Sequence, residues 1–122
     1  MKNLVSIIEI PVDDLHRAIS FYQAVFQLEI EEASMGDTKL GVFPAEEGKV
    51  NVVLIKGEGY IPSTEGPMLY FTAEGDLDLL LEKITAAGGQ VMVSKTEISP
   101  EMGFYALFMD TEGNRLALHG ES

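Results

Sequence analysis

The chain has 122 residues, 46% of them apolar and 8% aromatic, enough for one domain with a packed core and too few for two ordinary ones. No apolar run approaches the roughly 20 residues of a membrane-spanning helix, and the absence of cysteine excludes disulfides, thiolate nucleophiles, iron–sulfur clusters and cysteine-held zinc. Twenty acids against eight bases give a formal net charge of −12, with no cluster of Lys and Arg to displace counterions, so neither nucleic acid nor an anionic membrane is an expected partner.

The first residues, Met1-Lys2-Asn3-Leu4, lead straight into a strand-like segment and do not read as a signal peptide, so a cytoplasmic location is expected. Leu4 to Ile10 is apolar and β-branched, interrupted by Glu9 and ended by Pro11, which predicts a strand. Asp13 or Asp14 then caps a helix by accepting backbone N–H groups. Leu15, Ala18, Ile19, Tyr22 and Phe26 follow at three- and four-residue spacing, the stripe of an amphipathic helix. Three extended segments come next: Leu28 to Met35, closed by the tight turn Gly36-Asp37; Lys39 to Phe43, stopped by Pro44; and Val50 to Ile55. Gly57 to Gly66, with three Gly and one Pro, reads as a connector.

The order then repeats. Met68 to Ala73 is a strand candidate, and Asp76 caps a helix carrying Leu77, Leu80, Leu81, Ile84 and Ala87. Gly88-Gly89 ends that helix, because glycine accepts the left-handed conformation a terminus often needs. Val91 to Lys95, Phe104 to Met109 and Arg115 to His119 are three further strands, the last two joined by the hairpin loop Asp110-Thr111-Glu112-Gly113-Asn114. The fold class expected is α+β: two tandem β-α-β-β-β modules, about 1–56 and 67–122, in one domain. Each module leaves an apolar sheet face that it cannot cover alone, which favours pairing.

The stretch Glu9-Ile10-Pro11-Val12-Asp13-Asp14-Leu15, with Arg17-Ala18 and Phe21-Tyr22, resembles the first strand and helix of the vicinal oxygen chelate superfamily, which includes glyoxalase I, bleomycin-resistance proteins and extradiol dioxygenases. Asp76-Leu77 through Gly88-Gly89, then Gly103-Phe104-Tyr105 and Asp110 to Arg115, resemble its second unit. The resemblance covers nearly the whole chain. It implies a mixed sheet curled into a cup with the helices outside, a small-molecule site inside, and a homodimer.

In metal-dependent members of that family the cup holds a divalent ion through His, Glu or Gln on four strands. The resemblance carries those positions onto Ile7, onto Leu54 (Val53 or Ile55 if the register slips by one), onto Met68 or Leu69, and onto Ala117. All are apolar, whereas a divalent ion needs nitrogen or oxygen donors. No metal and no other cofactor is expected, and glyoxalase I or ring-cleaving chemistry through that metal is not. Ile7, Leu54, Met68, Tyr105 and Ala117 remain candidates for lining the cup.

Strand side chains alternate faces, so Glu9 shares a face with Ile7, and His119 with Ala117. In the family register both point into the cup, where a carboxylate and an imidazole suit cation binding or acid–base catalysis; both also suit solvated strand ends. Phe104 and Tyr105 lie on opposite faces of one strand, and either faces the cup. Lys56, Lys95 and Arg115 suit an acidic ligand but read better as solvated charges. His16, in the first helical turn, is expected to be exposed. Met68, Met92, Met102 and Met109 read better as core gap-fillers than as a pliable pocket lining. The leading expectation is a metal-free binder of a small, partly apolar molecule. The alternatives are a glyoxalase-I-like lyase or isomerase using Glu9 and His119, and an interaction module whose cup is filled.

Overall fold

Both helices begin where a capping carboxylate stands. In the computed structural model, which describes residues 3–122, Asp14 rather than Asp13 caps α1 (Leu15–Phe26), its carboxylate accepting the Arg17 N–H at 3.1 Å. Asp76 caps α2 (Leu77–Ala86) in the same way through the Asp78 N–H at 2.9 Å. The ends differ. At α2, Gly88 takes φ +101° and Gly89 donates to Ile84 O at 2.8 Å, the glycine-terminated close that the sequence predicts. At α1 a non-glycine residue, Gln27, takes the left-handed conformation at φ 54°.

The chain falls into two compact units, one ending at Pro62 and the other running Ser63–Ser122, and the division lies inside the glycine-rich segment 57–66. The first unit orders its strands β1 (Ile7–Pro11), β4 (Asn51–Lys56), β3 (Thr38–Val42), β2 (Glu31–Met35). The second repeats the pattern as β5 (Tyr70–Thr72), β8 (Arg115–Gly120), β7 (Gly103–Met109), β6 (Gln90–Ser99). In each, the strand before the helix pairs parallel with the module's last strand, and the other pairings are antiparallel. Each module therefore forms its own four-stranded mixed sheet, in an α+β fold.

Several boundaries shift for local reasons. Leu4 to Ser6 precede β1, because the partner strand begins only at Asn51, whose N–H bonds Ser6 O. Residues 28–30 are not strand, since the Ile30 N–H is taken by the Gln23 side chain at 2.9 Å. β6 runs to Ser99 and carries three register shifts, so it is longer and more bent than its apolar core Val91–Lys95 suggests. Lys95 is accordingly no solvated strand end: its ammonium lies 3.6 Å from Asp76 and 3.8 Å from Asp78 in the first turn of α2, and 4.8 Å over the Phe104 ring. Arg115 is likewise engaged, its Nη2 donating to Gly66 O at 3.3 Å. Met92 and Met102 are exposed rather than core gap-fillers.

In the first unit Ile19, Tyr22 and Val25 of α1 are buried, as are Ile10 and Leu54 of the sheet. In the second, Leu77, Leu81 and Ile84 of α2 are buried with Ala106, Phe108, Leu116 and Leu118. The β7–β8 hairpin is locked by a buried carboxylate: Asp110 Oδ1 accepts the N–H groups of Glu112 and Asn114, each at 2.9 Å, and Oδ2 accepts from Asn114 Nδ2 at 3.1 Å. Asp110→Ala strands those buried donors and is expected to destabilise the protein by about 2–4 kcal/mol in urea unfolding.

Candidate functional site

In the second unit Ala106, Phe108, Leu116 and Leu118 are buried on the side that α2 packs against, so the alternate residues Tyr105, Leu107, Ala117 and His119 occupy the other face. This settles Tyr105: it lies on the open face, and Phe104 on the helix side beneath Lys95. His119 sits between two cross-strand neighbours, Thr72 on β5 and Tyr105 on β7. A cavity of about 530 Å³ opens there, lined by Tyr70, Thr72, Ile98, Met102, Tyr105 and His119. Its walls are chiefly apolar with a few polar tips, and its size suits a small molecule.

One hydrogen bond sets the chemistry of the imidazole. His119 Nε2 lies 2.6 Å from the Met102 carbonyl oxygen. A carbonyl only accepts, so Nε2 carries a hydrogen and, in the neutral ring, Nδ1 keeps its lone pair. The approach depends on Gly103, which has φ +81° and whose missing Cβ would stand 2.3 Å from Gly120 O. Only glycine lets the chain cross the end of β8 closely enough for the residue before it to reach His119. The Met102 N–H is in turn held by Ser99 Oγ at 3.0 Å.

The residues singled out in the sequence divide between the two units. His119 and Tyr105 meet at the cavity. Ala117 lies on the same face, fully buried between Tyr70 and Leu107 in the sheet. Met68 is half-buried and precedes β5. In the first unit Ile7 and Glu9 are exposed on the face of β1 opposite to α1. Leu54 is on the wrong face for a cup-lining residue: it pairs with Gly41, whose absent Cβ would meet Ile19 of α1 at 3.2 Å, so Leu54 is core under the helix. Val53, opposite Glu9 and one residue away, takes the open face instead. Tyr70, Thr72 and Ile98 went unmarked in the sequence, although the alternation of Tyr70 and Thr72 places both on one face. Ile98 falls at a register shift of β6, which no short-range pattern announces.

His16, in the first turn of α1, is exposed as expected and pairs with Glu32 at 2.7 Å. Among the described residues no group of three or more His, Asp or Glu side chains is placed to hold a metal ion. The positions Ile7, Val53 or Leu54, Met68 and Ala117 offer hydrocarbon or a thioether, so this donor set does not fit a divalent ion.

The model of the glyoxalase/bleomycin resistance protein/dioxygenase superfamily matches residues 4–118. A glyoxylase-like domain-containing protein of Didymella fabae is 30% identical over 123 aligned positions, covering 93% of this chain and 91% of that protein. Among solved structures, a genomically encoded fosfomycin resistance protein, FosX, of Listeria monocytogenes superposes with a TM-score of 0.74 at 20% identity, covering 100% of this chain and 93% of that one. A hypothetical protein of S. aureus gives 0.71 at 23% identity over 97% and 96% of the two chains. A glyoxalase I variant of Zea mays gives 0.73 at 17% identity, this chain matching 45% of that longer one. At these identities the structural likeness speaks for the fold alone.

Proposed function

Starting from a chain that belongs to the glyoxalase/bleomycin resistance protein/dioxygenase superfamily, we propose that it binds a small, partly apolar molecule on the open face of β5–β8, without a metal at the family's ligand positions. The observation that carries this reading is the cavity around His119. Tyr70, Ile98, Met102 and Tyr105 supply apolar walls, and His119 Nδ1 has no protein partner among the described residues. An acceptor beside apolar walls suits a ligand with a hydrocarbon or aromatic body and one hydroxyl or N–H donor. The apolar residues at Ile7, Val53 or Leu54, Met68 and Ala117 support the metal-free part. A homodimer belongs to the same reading, supported by the open sheet face of the first unit, which leaves Ile7 and Met35 exposed.

Mass spectrometry of small molecules released from the purified protein tests the proposal. A stoichiometric compound is expected, and His119→Leu is expected to weaken its rebinding roughly ten-fold by leaving the ligand's donor unpaired. Protein that releases nothing and binds no small apolar compound would instead support an interaction module.

The free Nδ1 favours one second reading, a lyase or isomerase in which His119 takes a proton from carbon and returns it. Deuterium from heavy water would then enter the bound compound at carbon, and His119→Gln would stop it. A compound recovered without deuterium would leave binding alone.

A further inference from the structure

On the helix-covered side of the first sheet, away from the face that bears Glu9, a second cavity of about 370 Å³ is lined by Lys39, Lys56, Asp13, Asp37, Glu58 and Tyr60, among others. Lys39 and Lys56 are directly opposite each other in the antiparallel β3–β4 pair, two steps beyond Gly41 and Leu54 and therefore on their face. Like charges placed opposite each other are unfavourable unless something lies between them. Lys56 is held in place, its Nζ donating to the Asp13 carbonyl at 2.9 Å. No ion pair joins either lysine to Asp37 or Glu58, although all four line one cavity. Lys39, Lys56, Asp37 and Glu58 thus face the same space without pairing with one another. Tyr60 is fixed beside them by the turn in which its N–H bonds Gly57 O at 3.2 Å.

A ligand of one sign would satisfy part of this lining and be repelled by the rest, and the chain's net charge of −12 adds to the repulsion of a simple anion. A ligand carrying both signs meets both. We propose that this cavity binds a small zwitterion of the α-amino-acid type, its carboxylate between the Lys39 and Lys56 ammonium groups and its ammonium toward Asp37 and Glu58. The site shares no lining residue with the cavity around His119.

Titration of the isotope-labelled protein with neutral α-amino acids (glycine, alanine, glutamine), and separately with acetate and methylammonium, tests this by nuclear magnetic resonance. At least one amino acid is expected to shift the Gly57 and Tyr60 amide signals saturably, with acetate and methylammonium weaker by about ten-fold or more. Lys39→Gln and Asp37→Asn alter exposed side chains; each is expected to keep the wild-type melting temperature and weaken the amino acid about ten-fold. No saturable shift with any amino acid up to about 50 mM, acetate binding as tightly as the amino acids, or undiminished binding by Lys39→Gln would each overturn the proposal.

Discussion

Gly103→Ala is expected to cost about 3–5 kcal/mol of stability, among the largest effects of any single methyl group in this chain. Two terms add. At φ +81° an L side chain is strained, and here the new Cβ would lie 2.3 Å from Gly120 O, a backbone atom that cannot move without dragging β8. Gly113 separates the terms: its φ is +97° but nothing lies within 4 Å of its Cβ position, so Gly113→Ala carries only the conformational cost of about 1 kcal/mol. Urea unfolding of the two variants reads the difference directly. Comparable losses would show that the close approach of Gly103 to β8 is not a real constraint. The same substitution moves the Met102 carbonyl off His119, so whatever Gly103→Ala protein stays folded is also expected to bind its ligand poorly.

Tyr22→Ala is expected to be equally damaging in the first unit. The Tyr22 ring is fully buried, edge-on to Phe21 at 4.9 Å and to Phe43 at 5.6 Å, and stacked with Phe26 at 6.3 Å. Truncation forfeits the buried area and leaves a cavity among three rings that cannot all collapse into it, a loss of about 3–5 kcal/mol. Ile61→Ala, at a side chain 76% exposed, is expected to stay within about 0.5 kcal/mol of wild type. Guanidinium midpoints for the two variants check the contrast, and similar midpoints would contradict the core assigned to α1.

The doubled module was legible because its signals are local. Asp14 and Asp76 cap helices within three residues, Gly36-Asp37 makes a two-residue hairpin turn, and Asp110 to Asn114 closes on its own carboxylate. Register across strands was harder. The choice between Leu54 and Val53 turns on which residue pairs with Gly41, a contact 13 positions away in sequence, and a one-residue slip exchanges core for open face. The pairing of Lys39 with Lys56 and the Met102–His119 bond were hidden for the same reason, since each joins residues that no periodicity relates. Tyr105 was readable as lying on one of two faces, but only the burial of its neighbours Ala106 and Phe108 under α2 decides which.

The open face of β5–β8 is proposed to receive a small apolar molecule with a hydrogen-bond donor. Chemical-shift mapping with p-cresol, which has an aromatic body and one hydroxyl, tests it most directly. Saturable shifts are expected at Tyr70, Ile98, Met102, Tyr105 and His119, together with a change in the His119 Nδ1 signal and none in which nitrogen carries the proton. Absence of saturation, or saturable shifts confined to residues outside this face, would contradict the account.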